Sequence, residues 1–194
     1  MYYGSYKSIR NSAWHCLIDF KIDRLPIDVL KIAKTADIKV IRNSLVNDLL
    51  PNENGKSYFD GSDWIIIYDD TKPTVVSRFT VAHELGHIFL GHELKHTKYS
   101  EANEFRKKPR SEQEADMFAM RLLCPACVIW GLGLTDADEI SRHCRVPLEL
   151  SRLRATRMKA LYARDKFLHS KVEQTVYEQF EAYINDIKSN EIDW

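Results

Sequence analysis

The feature that most constrains this chain is the motif His83-Glu84-Leu85-Gly86-His87. On an α-helix, side chains four residues apart project from the same face, so the two imidazoles are placed to bind one metal ion. Glu84 lies one helical step round, beside the open coordination position. A carboxylate there can take a proton from water at the metal. The motif therefore predicts a helix that carries His83 and His87 as metal ligands and Glu84 as a general base.

The setting of the motif favours a metal site over a chance occurrence. Seven His residues make a chance match conceivable, but here the motif is flanked by Phe79-Thr80-Val81-Ala82 and Ile88-Phe89-Leu90. Two imidazoles and a carboxylate in such an apolar helix are costly to bury unless they have partners. We therefore interpret the motif as one half of a metal centre.

A third ligand is expected on the helix predicted over residues 111–123. Catalytic zinc commonly has three protein ligands and one open position. This helix offers three acids, and its inward stripe consists of Ala115, Ala119, Leu122 and Leu123. At about 100° per residue, Glu112 and Asp116 fall on the stripe, whereas Glu114 points nearly the other way. We predict Glu112 as the ligand, with Glu114 as the alternative. Asp116 is expected to accept the second ring N–H of a metal-binding His.

Two segments of the chain together resemble a known family. One runs RFTVAHELGHIFLGH over residues 78–92, and the other runs EQEADMFA over residues 112–119, followed by LLCP over 122–125. They resemble the ImmA/IrrE family of metallopeptidases, in which a Met is common at the position of Cys124. The resemblance implies a zinc endopeptidase that inactivates a cognate helix-turn-helix repressor. It also implies His83 and His87 as ligands, Glu84 as base, and an acid of residues 112–116 as third ligand.

The hydrophobic patterning predicts an α+β fold, mostly helical, with a sheet of about three strands and a zincin-like pair of helices at the metal. One domain is expected over residues 1–165, and a C-terminal amphipathic helix extension over 166–194. The predicted helices include residues 9–20, 27–34, 74–91, 111–123 and 171–187, and the predicted strands are 38–41, 56–59 and 64–68. Pro26 is expected near the first turn of the second helix, and Gly91 is expected to end the motif helix.

Charge and cysteine usage constrain the setting. The chain has 28 basic and 28 acidic side chains, so its overall charge gives no case for nucleic acid or an anionic membrane. No apolar run is long enough to span a bilayer, and the N-terminus lacks a signal-peptide pattern. We expect a cytoplasmic protein with no membrane partner. Cys124 and Cys127 form a lone C-x-x-C, which we interpret as two structural thiols.

A basic segment follows the predicted metal site. Residues 138–160 predict a helix-turn-helix-like unit, and the arginines within residues 142–164 make it basic. DNA binding is one interpretation, and a solvated packing unit is the other. Because the whole chain is neutral, we expect no direct DNA binding and predict that Arg152, Arg154 and Arg157 dock an acidic protein partner. The C-terminal helix is expected to fold back on this segment or to form a dimer contact.

The polar stretch over residues 92–109 is predicted to be a surface loop beside the active site. His92 and His96 are candidate extra ligands, although such histidines are more often solvated. Tyr99 is a candidate for stabilising the oxyanion.

The combined pattern predicts zinc-dependent hydrolysis of a peptide bond in a protein substrate, which we expect to be a cognate transcriptional repressor. Two other functions stay open: a zinc protein that sequesters a repressor without cutting it, and a DNA-binding regulator with structural zinc. Structural zinc sites are usually four-coordinate. The sequence offers no evident fourth ligand, which favours an open, catalytic site.

Overall fold

The computed structural model describes residues 8–92 and 108–192, and this part of the chain forms a mostly helical α+β fold. Its elements in chain order are α1 (Ile9–Asp19), α2 (Val29–Thr35), β1 (Ile38–Arg42), α3 (Asn43–Val46), β2 (Gly55–Phe59), β3 (Trp64–Tyr68), α4 (Thr74–Leu90), α5 (Arg110–Leu123), α6 (Ala126–Gly131), α7 (Ala137–Cys144), α8 (Leu148–Tyr162) and α9 (Lys171–Ile192). The predicted fold class is confirmed.

The sheet has the strand order β1-β3-β2. β1 runs parallel to the central strand β3, and β2 pairs with β3 as an antiparallel hairpin in which Ser57 lies opposite Ile66. Asp60 fixes the hairpin turn, because its carboxylate accepts hydrogen bonds from the backbone N–H groups of Ser62 and Asp63, both at 2.8 Å. β2 is an edge strand of this sheet. The predicted hairpin is therefore confirmed.

Helices α4 and α5 pack closely, and this contact brings the two halves of the site together. A Cβ added to Gly86 would lie only 3.2 Å from the Cα and from the carbonyl oxygen of Ala115. This position on α4 therefore favours glycine, which allows the close approach to Ala115 on α5. Gly91 ends α4 with a φ of 68°, a conformation that glycine adopts without strain.

The C-terminal helix α9 packs against α1 and α6. Val176, Phe180 and Ile184 are buried and belong to the same apolar core as α4 and α5. The Gln179 Nε2 group donates hydrogen bonds to the carbonyl oxygens of Leu17 at 2.9 Å and Ile22 at 2.5 Å. These contacts fix α9 to the first helix of the chain.

Helices α7 and α8 form the predicted helix-turn-helix unit. They pack against each other across the short turn 145–147, where Arg145 adopts a left-handed φ of 50°. Asp136 and Glu139 form a capping box at the start of α7, so the first N–H groups of that helix have partners.

The structure corrects the prediction for one docking residue, Arg154. Its side chain is fully buried, and its Nη2 group donates to the carbonyl oxygen of Cys124 at 2.5 Å. Arg154 shares the inward face of α8 with Ala155 and Met158, so it cannot contact a docked partner. Arg152 and Arg157 are exposed.

One local prediction was also wrong, and one short helix was not predicted. Helix α2 begins at Val29, because Asp28 caps it by accepting hydrogen bonds from the N–H groups of Leu30 and Lys31. Pro26 precedes this cap, and the Leu25–Pro26 peptide is cis. Helix α3, only four residues long, was not predicted, because one turn is too short to show a helical period.

Other predictions concern the thiols, the polar loop and the membrane. Cys16, Cys124, Cys127 and Cys144 are buried free thiols, and the structural role of the C-x-x-C pair stays a prediction. His96 and Tyr99 lie outside the described residues. None of the helices in the described part of the chain is long and apolar enough to cross a bilayer.

Candidate metal centre

Three side chains from two helices converge on one point. Helix α4 presents His83 and His87 one turn apart, and the first turn of α5 presents Glu112. The two Nε2 atoms of the histidines are 3.0 Å apart. The Glu112 carboxylate bridges them, with Oε2 at 3.3 Å from His83 Nε2 and Oε1 at 3.1 Å from His87 Nε2.

The chemistry of this donor set fits a divalent metal ion. Within the described residues, His83, His87 and Glu112 form the group whose ligand atoms all lie within 4.8 Å of one another. Ligand atoms around a tetrahedral ion with 2.0–2.1 Å bonds are about 3.3 Å apart, close to the spacings found here. Two ring nitrogens that face each other at 3.0 Å require a proton or a cation between them. The residues present therefore fit a bound metal.

Asp116 fixes the orientation of His83. Its Oδ1 atom lies 2.8 Å from His83 Nδ1, and its other oxygen pairs with Lys108. An ionised carboxylate can only accept a hydrogen bond, so the Nδ1 atom of His83 carries the proton and the Nε2 atom is left for the metal.

His92 and Glu114 orient His87 in the same way. His87 Nδ1 lies 3.0 Å from His92 Nδ1, and His92 Nε2 lies 3.2 Å from the Glu114 carboxylate. Burial lowers the pKa of His92, which favours its neutral form. Neutral His92 donates through Nε2–H to Glu114, so its Nδ1 atom accepts the N–H of His87. Arg110 holds Glu114 at 2.7 Å.

Sequence reasoning missed this second chain of hydrogen bonds. His92 was considered only as a possible ligand or a solvated residue, and Glu114 only as the alternative third ligand. The sequence does contain one indication: Arg110 and Glu114 are four residues apart on a helix. This spacing favours an ion pair between them, which holds the Glu114 carboxylate away from the metal. In the structure, Glu112 faces the histidine pair, whereas Glu114 faces His92.

The pKa shifts in the cluster favour ionised carboxylates next to a positive charge. Burial lowers the pKa of His83, but its hydrogen bonds to Asp116 and Glu112 outweigh burial and raise the pKa to about 9. Hydrogen bonds from His83 and His87 hold the pKa of Glu112 well below its usual range. Burial opposes ionisation of Asp116, yet its bonds to His83 and Lys108 lower its pKa overall. A metal cation meets the same demand for positive charge.

Glu84 lies beside the cluster and outside it. Its side chain is only 7% exposed, and its Oε2 atom accepts a hydrogen bond from Ser57 Oγ at 2.6 Å. Burial raises the pKa of Glu84, and the nearby His83 and the Ser57 hydroxyl oppose this rise. A buried carboxylate in this position can act as a proton acceptor, and edge strand β2 orients it.

An α+β fold with a His/His/Glu cluster on two facing helices is typical of metallopeptidases. Residues 33–156 match the model of the peptidase family Peptidase_M78, described as the IrrE N-terminal-like domain. The matched range includes every residue of the cluster and covers more than half of the chain. The chain therefore belongs to this family, as its resemblance to ImmA/IrrE proteins predicts. A comparison with curated proteins found no match.

Glu112 and Glu114 offer a matched test of the ligand set. Glu112→Ala should weaken metal binding by more than about a hundredfold, because it removes a bridging carboxylate. Glu114→Ala should weaken it by no more than about tenfold, because Glu114 acts only through His92. Metal affinity of both variants can be measured by competition with a chromogenic chelator. The opposite order of affinities would show that Glu114 is the ligand.

Proposed function

We propose that this protein is a zinc-dependent endopeptidase that cuts a transcriptional repressor of the helix-turn-helix type and so relieves repression. The observation that carries the proposal is the position of Glu84, a buried carboxylate next to the His/His/Glu cluster but not part of it. A site that only held a metal would have no use for this additional acid. Membership of a peptidase family supports the same reaction class.

Zinc is the metal that we assign to the cluster. Two imidazoles and one carboxylate, with a fourth position left open, form a common ligand set of catalytic zinc. A structural site would be closed by a fourth ligand, and the cluster within the described residues contains three. When bound, zinc polarises the scissile carbonyl and lowers the pKa of water.

Each of the residues around the cluster has its own role in the reaction. Glu84 accepts the proton of the attacking water and passes it to the leaving amine. Ser57 holds one oxygen of Glu84, which leaves the other oxygen to move the proton. Asp116 and His92 keep the Nε2 atoms of His83 and His87 directed at the metal position.

The position of strand β2 favours a peptide as the substrate. It is the edge strand of the hairpin, and it contacts α4 at the position of Glu84. An extended segment of another protein can pair with such an edge through backbone hydrogen bonds. A folded repressor presents few segments of this kind, so we expect cleavage at one or a few sites.

The basic surface of α8 is our candidate for docking the intact partner. Arg152 and Arg157 are exposed there, and Leu153 between them is 63% exposed. An open groove of about 430 Å³ lies beside Arg152 and is lined by Thr135, Asp136, Ala137, Ala155, Thr156 and Lys159. Exposed leucine and a groove fit a protein partner better than a DNA backbone.

We place the reaction in the cytoplasm, where the four free thiols would stay reduced.

The role of Glu84 can be separated from metal binding. Glu84→Gln should retain zinc, because Glu84 is not a ligand, but should lower cleavage by a hundredfold or more, on the order of what a general base contributes. Bound zinc is measured by atomic emission, and cleavage is measured on candidate helix-turn-helix repressors. The exposed Glu149→Gln is the control. Normal cleavage by zinc-loaded Glu84→Gln protein would exclude the mechanism, and tight binding without cleavage by the unaltered protein would favour sequestration.

Docking should be electrostatic and confined to the intact partner. The double variant Arg152→Glu and Arg157→Glu should slow cleavage of the repressor by about tenfold, and added salt should reduce the difference from the unaltered protein. Cleavage of a short peptide that spans the cut site should hardly change, because it needs only the metal centre.

The exposed pair Lys31→Glu and Lys34→Glu on α2 provides a control of equal charge. Equal slowing by both double variants would mean that α8 has no docking role. Sequence-specific binding to duplex DNA at physiological salt, without proteolysis, would instead identify a DNA-binding regulator.

A further inference from the structure

A group of four arginines lies away from the metal centre. Arg10 comes from α1, Arg121 from α5, and Arg154 and Arg157 from α8. Arg121 is acted on electrostatically by the other three arginines and by no acid. Burial, together with these like charges, lowers the pKa of Arg121 to about 10. We refer to these four residues as the arginine cluster.

Several guanidinium nitrogens of the arginine cluster have no partner. The Nε atom of Arg121 and the Nε and Nη1 atoms of Arg154 are buried without a hydrogen bond. Arg154 is fully buried and has a single hydrogen bond, from Nη2 to the carbonyl oxygen of Cys124. Buried charges are normally paired, because the removal of a charge from water without a partner is energetically unfavourable.

None of the four arginines forms an ion pair in the part of the chain that the structure describes, namely the side chains of residues 8–92 and 108–190. Glu173, a buried carboxylate, acts electrostatically on Arg10, and burial raises the pKa of Glu173. The groups facing Arg154 are the thiols of Cys124, Cys127 and Cys144. Arg10 itself lies over the ring of Trp14, with its guanidinium carbon 4.9 Å from the ring centroid.

The arginine cluster leads from the core to the surface. Arg154 is buried, Arg10 and Arg121 are half-buried, and Arg157 is exposed. Guanidinium groups match the oxygens of phosphate through paired N–H donors. We propose that the cluster binds a phosphate-type oxyanion at its outer end, between Arg10, Arg121 and Arg157, with the charge of Arg154 behind it. The anion would join α1, α8 and the helix that carries Glu112, and its binding does not depend on the peptidase activity.

Thermal unfolding of the full, zinc-loaded chain tests the proposal. The probes are inorganic phosphate and adenosine 5′-monophosphate, each compared with chloride at equal ionic strength. At ten times its dissociation constant, the anion should raise Tm by roughly 3 to 6 °C. Arg121→Gln should lose most of this shift, whereas the exposed Arg164→Gln should retain it. In chloride, Arg121→Gln should be at least as stable as the unaltered protein, because a like charge has been removed.

The outcomes distinguish the source of the anion and exclude other sites. Equal protection by both probes assigns a free phosphate, and protection at a tenfold lower concentration of adenosine 5′-monophosphate assigns the phosphate of a nucleotide. The shift should persist in Glu112→Ala, since the cluster is separate from the metal centre. If Arg121→Gln fails to fold, the exposed Arg157→Gln takes its place. No shift over chloride, an equal shift in all variants, or loss of the shift in Glu112→Ala would overturn the proposal.

Discussion

Two imidazoles from α4 and a carboxylate from α5 converge on one point, and the packing of these two helices places them there. His83, His87 and Glu112 can approach so closely because Gly86, which has no side chain, lies against the backbone of Ala115. Their facing lone pairs and the ionised carboxylate call for positive charge at one point. The close packing of α4 against α5 and the need for a cation therefore occur at the same site.

Two chains of hydrogen bonds orient this site from behind. One runs from His83 through Asp116 to Lys108, and the other runs from His87 through His92 to Glu114 and Arg110. Each ends on a cation that keeps the last carboxylate ionised. Each therefore fixes the tautomer of one histidine and aims its Nε2 atom at the metal position. Glu84 is held by Ser57 instead and belongs to neither chain.

Much of the fold and the centre of the site could be predicted from the sequence, because both depend on the spacing of residues along single helices and strands. The motif fixes a helix, and the phase of α5 separates Glu112 from Glu114. What failed depended on contacts between distant segments. The pairing of His92 with Glu114 joins residues 22 apart, and the burial of Arg154 follows from packing α8 against Cys124. A charge pattern alone assigned Arg152 and Arg154 to one surface, although α8 turns them to opposite sides.

X-ray absorption of the zinc-loaded chain can show whether the His/His/Glu cluster holds zinc with a fourth position open. We expect nitrogen and oxygen ligands only, at about 2.0–2.2 Å, including two imidazoles. Loss of this spectrum in Glu112→Ala should follow. Sulfur ligands at about 2.3 Å would instead place zinc among the buried thiols of Cys124, Cys127 and Cys144 and would exclude the His/His/Glu cluster as the zinc site.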